Sequence, residues 1–104
     1  MAPATITILY PTGSDATFDM SYYLNSHMPL VKELWGPEGL TGYKVTKFAD
    51  PSQPYAVQCL LEFKSADEFQ AAVKGQNTAK VMGDVPNFSN KQPLIMLGEF
   101  QGSG

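Results

Sequence analysis

Residues 5–10, TITILY, set Ile6, Ile8 and Tyr10 against Thr5, Thr7 and Leu9. This two-residue alternation, rich in β-branched side chains, predicts a first strand. Pro11-Thr12-Gly13-Ser14-Asp15 ends it with loop chemistry. The period then changes. Phe18, Tyr22, Tyr23, Leu24, His27, Leu30, Val31 and Leu34 recur mostly three or four residues apart, which predicts a helix over 18–35. Asp15 or Thr17 is the expected N-cap, and Asp19 places a negative charge in the first turn. Pro29 falls inside this helix, where it removes a backbone donor and costs ~3 kcal/mol or more. A kink or restart is expected at residues 26–29. It leaves the carbonyl of Asn25 without its usual donor.

Gly36-Pro37-Glu38-Gly39 closes the helix, and a second alternating segment follows over 40–48. A turn-rich stretch containing Pro51 and Pro54 leads to a third segment, 55–63. Its odd positions, Tyr55, Val57, Cys59, Leu61 and Phe63, form one strongly apolar face. With so short a connection these two strands pair antiparallel. Ser65 with Glu68 reads as a capping box before a second helix carrying Phe69, Ala72 and Val73, ended by Gly75. Residues 78–82 predict one further helical turn, 84–92 a loop, and 94–100 a fourth strand. The order βαββαβ is the ferredoxin-like arrangement of the α+β class: a four-stranded antiparallel sheet with its helices on one face. Leu9, Leu60, Ile95 and Leu97 are assigned to the other, open face. A bare apolar face of several hundred Å² is unusual for a monomer, so a homodimer is expected.

Composition supports that expectation. The chain is 43% hydrophobic but only 16% charged, against a usual charged share of ~25%. Its 104 residues make one domain, 1–104, with a thin core. The net charge of −3 comes from seven Lys and Arg against ten Asp and Glu. No basic cluster marks a nucleic-acid partner, and no apolar run is long enough to span a membrane. Met1-Ala2-Pro3-Ala4 lacks the basic and apolar regions of a signal peptide. The single cysteine, Cys59, excludes an internal disulfide and fits the cytoplasm. One Cys and one His cannot build a structural zinc site, and no metal is expected.

Candidate chemistry concentrates between Phe18 and Leu30. Tyr23 and His27, four apart, share a helix face, and His27 is the only histidine. Histidine changes protonation near neutral pH and suits proton transfer. Its plainer alternative is a packed ring bonded to a backbone carbonyl near Pro29. Trp35, Tyr43, Phe88 and Phe100 are candidates either for an aromatic-lined pocket or for the core. Cys59 reads as a buried, inert thiol, since no cation lies beside it in sequence. Asp67 and Glu68 read as helix-start charges. Asp84 and Asn87 read as loop polarity that could reach a pocket mouth. No phosphate-binding glycine motif is present, so no nucleotide cofactor is expected.

The pattern FDxxYYxxxHxPL, residues 18–30, resembles the EthD family, named for ethyl tert-butyl ether degradation, within the dimeric α+β barrel superfamily. Val85-Pro86-Asn87-Phe88-Ser89-Asn90, with Pro93 before the last strand, resembles that family's C-terminal pattern. The resemblance implies a small-molecule enzyme, often labelled oxidoreductase, acting on an apolar or aromatic substrate with no cofactor. Such an enzyme would catalyse cofactor-free oxygenation, dehydration, decarboxylation or cyclisation. His27 and Tyr23 are its candidate catalytic residues, and Tyr22, Asn25, Trp35 and Phe88 its candidate substrate-binding residues. The alternative is a non-catalytic ligand-binding or accessory protein of a degradation or biosynthetic pathway.

Overall fold

The computed structural model describes residues 2–104; Met1, read above as part of a leaderless N-terminus, lies outside them. Strand β1 (Ala4–Pro11) leads to a helical rod, α1, at residues 20–35. Strands β2 (Leu40–Lys47) and β3 (Tyr55–Phe63) follow, then helices α2 (Ala66–Lys74) and α3 (Asn77–Gly83), and strand β4 (Leu94–Glu99). Single 3₁₀ turns, Gly36–Glu38 and Val85–Asn87, link α1 to β2 and follow α3. The sheet order is β2-β3-β1-β4, all neighbours antiparallel. This is the expected ferredoxin-like α+β fold. No helix among the described residues is long and apolar enough to cross a membrane.

The odd positions of β3 behave as their pattern predicts. Val57, Cys59, Leu61 and Phe63 are buried beside Ala4, Ile6 and Tyr10 of β1. Onto this face pack Tyr23, Met28, Val31 and Trp35 from α1, and Phe69 and Ala72 from α2. Ser65 caps α2, its Oγ accepting from the Glu68 amide at 3.1 Å. The turn into β2 needs φ = +121° at Gly39, where any Cβ would also strike the Glu68 side chain.

Two sequence expectations are corrected. The cap of α1 is Asp19, whose Oδ1 accepts from the Tyr22 amide at 3.0 Å, rather than Asp15 or Thr17. Asp15 instead pairs with Lys91 at 2.9 Å, and the Thr17 amide bonds Asn90. The faces of β4 are also exchanged. Ile95 and Leu97 stand opposite Ile8 and Ile6, on the helix side. Leu94 and Met96, opposite Leu9 and Thr7, belong to the open face with Leu60. Both faces of this edge strand are apolar, so alternation alone did not show which was which. Leu94, Ile95, Met96 and Leu97 are all exposed.

Candidate active site

α1 is not uniform. Met20–Tyr22 is α-helical, Tyr23–His27 forms a π-helical turn, and Met28–Trp35 returns to α-helix. Pro29 explains this. It has no N–H to give the carbonyl of Asn25, and its ring presses on that carbonyl in α geometry. Widening the preceding turn relieves the clash, and the Met28 amide donates to the Tyr23 carbonyl five residues back. The kink expected at 26–29 is therefore a π-turn centred just before it. Its effect on the side chains is specific. Tyr23 and His27 are both buried and stack with centroids 5.3 Å apart and planes 18° apart.

The partner of His27 is Asp84, directly after α3, which the sequence offered only as loop polarity within reach of a pocket mouth. Its Oδ2 lies 2.9 Å from His27 Nδ1. Its Oδ1 accepts from the Tyr22 hydroxyl at 2.6 Å and from the Asn87 side-chain amide at 2.8 Å. Burial pushes the Asp84 carboxyl up, but these three donors outweigh it and hold it below the usual carboxylate range. Asp84 is therefore ionised at neutral pH and can only accept, so Nδ1 carries the proton and Nε2 holds the lone pair. Burial pushes His27 down from its ordinary value against the opposing pull of Asp84, so the ring is neutral at pH 7. Both folded values are depressed. The stability each group contributes is present above its unfolded value, ~6.5 for His and ~3.9 for Asp, and is lost as pH falls through the folded one.

His27 Nε2 makes no hydrogen bond with the described residues, and the ring lines a cavity of about 290 Å³ between the helices and the sheet. Tyr10, Tyr23 and His27 gather at one end; Ile6, Ile8 and Leu61 supply sheet wall; Trp35 and Phe69 lie at the other. Burial holds both Tyr10 and Tyr23 well above the usual phenol range, so each keeps its proton and can donate it in a hydrogen bond. Burial likewise raises the Cys59 thiol to about 11, the inert state expected for it.

His27, Tyr23 and Trp35 thus line the cavity. Phe88 lies behind them, its ring 4.5 Å from that of His27. Tyr22 does not line the cavity and instead anchors Asp84. Asn25 is exposed and donates to Ser21 Oγ at 3.3 Å, away from the cavity. Tyr43, on edge strand β2, and Phe100, beyond β4, are exposed and absent from its walls. Among the described residues, no three His, Cys, Asp or Glu side chains gather to hold a metal ion.

No protein-family profile and no curated protein matches the chain. Solved structures do. An EthD-like protein from Ralstonia eutropha JMP134 superposes with a TM-score of 0.83 at 29% identity, over 95% of this chain and 92% of that one. The chain is similar to EthD-like proteins in fold and sequence. An EthD family protein from Bacillus halodurans C-125 shares the fold at a TM-score of 0.73 and 22% identity, over 95% of this chain and 99% of that one. SnoaB, a cofactor-independent oxygenase from Streptomyces nogalater, has the same fold at 0.66 and 10% identity, covering 100% and 96%. In this chain the FDxxYYxxxHxPL segment is the capped, π-turned start of α1, and its Tyr-Tyr pair divides. Tyr23 faces the cavity and Tyr22 faces Asp84.

Proposed function

We propose that this chain is an EthD-type acid/base enzyme acting, without a bound cofactor, on a small apolar or aromatic molecule in the cavity. The observation that carries this reading is the Asp84–His27 pair, closed at Nδ1, with the imidazole lining the cavity and its Nε2 left without a partner among the described residues. His27 Nε2 takes a proton from a phenolic O–H or from a C–H beside a carbonyl. The electron pair stays on the substrate as a phenolate or enolate, and Asp84 neutralises the imidazolium. The Tyr23 hydroxyl donates to the substrate oxygen, and His27 returns the proton to the same or another atom. The surrounding apolar wall strengthens these interactions by excluding water. An oxygenation would begin at the same anion with dioxygen as the oxidant, which is how an oxidoreductase label would fit this site.

The test is deuterium uptake by 2-tetralone, a two-ring ketone with acidic C–H bonds, in D₂O. The protein is expected to accelerate uptake in proportion to its concentration. Tight binding of 2-tetralone without any exchange would instead support a ligand-binding or accessory protein.

The same reading includes a homodimer. Leu9, Leu60, Leu94 and Met96 share the open sheet face, and burying it against a second copy removes that area from water at about 25 cal/mol per Å². Light scattering is expected to give twice the 11.3 kDa chain mass at micromolar concentration. Met96→Glu, which puts charge on this face, is expected to give monomer. A monomeric wild-type chain contradicts the dimer.

A further inference from the structure

Trp35 is 5% exposed, and its Nε1 is the only buried side-chain nitrogen or oxygen among the described residues with no hydrogen-bond partner. Buried donors are almost always paired, so an orphan requires an explanation. Its ring neighbours, Phe63 and Phe69, lie 5.9 and 6.1 Å away, nearly perpendicular to the indole. Aromatic carbon is a weak acceptor beside a carbonyl oxygen. No acceptor oxygen among the described residues lies within hydrogen-bond reach of Nε1. If packing were the indole's whole purpose, a phenyl ring would serve without burying a donor.

The position of Trp35 gives this donor a context. His27, Val31 and Trp35 repeat every four residues along α1, and all three line the cavity. Eight residues of helix separate the two ends by roughly 12 Å. A cavity of about 290 Å³ is about twice the roughly 150 Å³ that accepts benzene. It therefore suits two or three rings. One end offers a base and hydroxyls; the other is walled by the indole of Trp35, the residue that carries the orphan N–H.

We propose that the cavity selects an elongated two- or three-ring molecule with an ionisable hydroxyl or C–H at the His27 end. The opposite end of that molecule carries a carbonyl or ether oxygen, received by Trp35 Nε1–H. This inference rests on the cavity being the working site and adds the substrate class and the residue that reads its far end. In the free protein the indole packs against Phe63 and Phe69 with its N–H covered, and it turns that N–H to the ligand oxygen as the ligand enters.

Two probes of matched shape test it: 6-acetyl-2-naphthol, with a far-end carbonyl, and 6-isopropyl-2-naphthol, without one. The chain has one tryptophan, so ¹⁵N-labelled protein shows one indole N–H resonance. The acetyl compound is expected to bind about 5- to 10-fold tighter, the worth of one net hydrogen bond. It should also move that resonance downfield at saturation, which the isopropyl compound should not. Trp35→Phe should equalise the two affinities; should that variant not fold, the wild-type resonance decides alone. Equal affinities with the same indole shift for both probes overturn the proposal and leave the His27 chemistry standing. Selective binding with no exchange of 2-tetralone overturns the chemistry and leaves the recognition standing. Failure of both probes to bind at their solubility limit overturns both.

Discussion

His27→Gln is expected to slow deuterium uptake by 2-tetralone about 10²- to 10⁴-fold, the usual worth of a positioned general base. Glutamine approximates the imidazole in length and can still hydrogen-bond Asp84, so the π-turn and cavity should persist. It has no lone pair basic enough to take a proton. The wild-type rate should rise with pH and level off above the depressed pKa of His27, because only the neutral ring is a base. Mass spectrometry of the exchanged ketone across pH reads both effects. A variant that keeps the wild-type rate removes His27 from the mechanism, whatever the cavity binds.

Asp84→Ala should be the most damaging exchange outside the main core. It strips the acceptor from three donors at once: Tyr22 Oη, Asn87 Nδ2 and His27 Nδ1. The Tyr22 hydroxyl and the Asn87 amide can turn towards solvent. His27 is 4% exposed and cannot. One buried, orphaned donor plus a lost charge-assisted bond costs about 2–4 kcal/mol. For a domain this size that lowers Tm by roughly 10–20 °C, readable by calorimetry. Asp84→Asn should cost less stability but still slow exchange. An amide that turns its N–H towards Nδ1 favours the Nε2–H tautomer, which cannot act as base. A triad aspartate replaced by asparagine loses activity for the same reason in serine proteases.

The residues differ in how openly their sequence announced these roles. β3 was legible to the residue, because alternation from Tyr55 to Phe63 reports one buried face directly. Ser65 was legible because a cap acts within one helical turn. Pro29 marked the place of the helix distortion but not its kind, since kink, break and π-turn all relieve the same clash. Asp84 lies 57 residues from His27, in a segment whose polarity is ordinary for a loop, so no local pattern could pair them. The four-residue spacing sets Tyr23 beside His27, whereas Tyr22, a substrate-binding candidate in the sequence, instead anchors Asp84. No local pattern reports that anchoring role, because Asp84 lies 62 residues from Tyr22. Trp35 was visible as a pocket candidate, but its unpaired N–H is a property of the packed state alone.

The central claim is that burial keeps His27 neutral while Asp84 fixes its proton on Nδ1, leaving a free lone pair at Nε2. With a single histidine in the chain, long-range ¹H–¹⁵N correlation through the imidazole assigns both ring nitrogens without ambiguity. The account predicts the Nδ1–H tautomer at pH 7, titrating below the ordinary histidine value of ~6.5. An Nε2–H tautomer, or a ring already charged at pH 7, would contradict it.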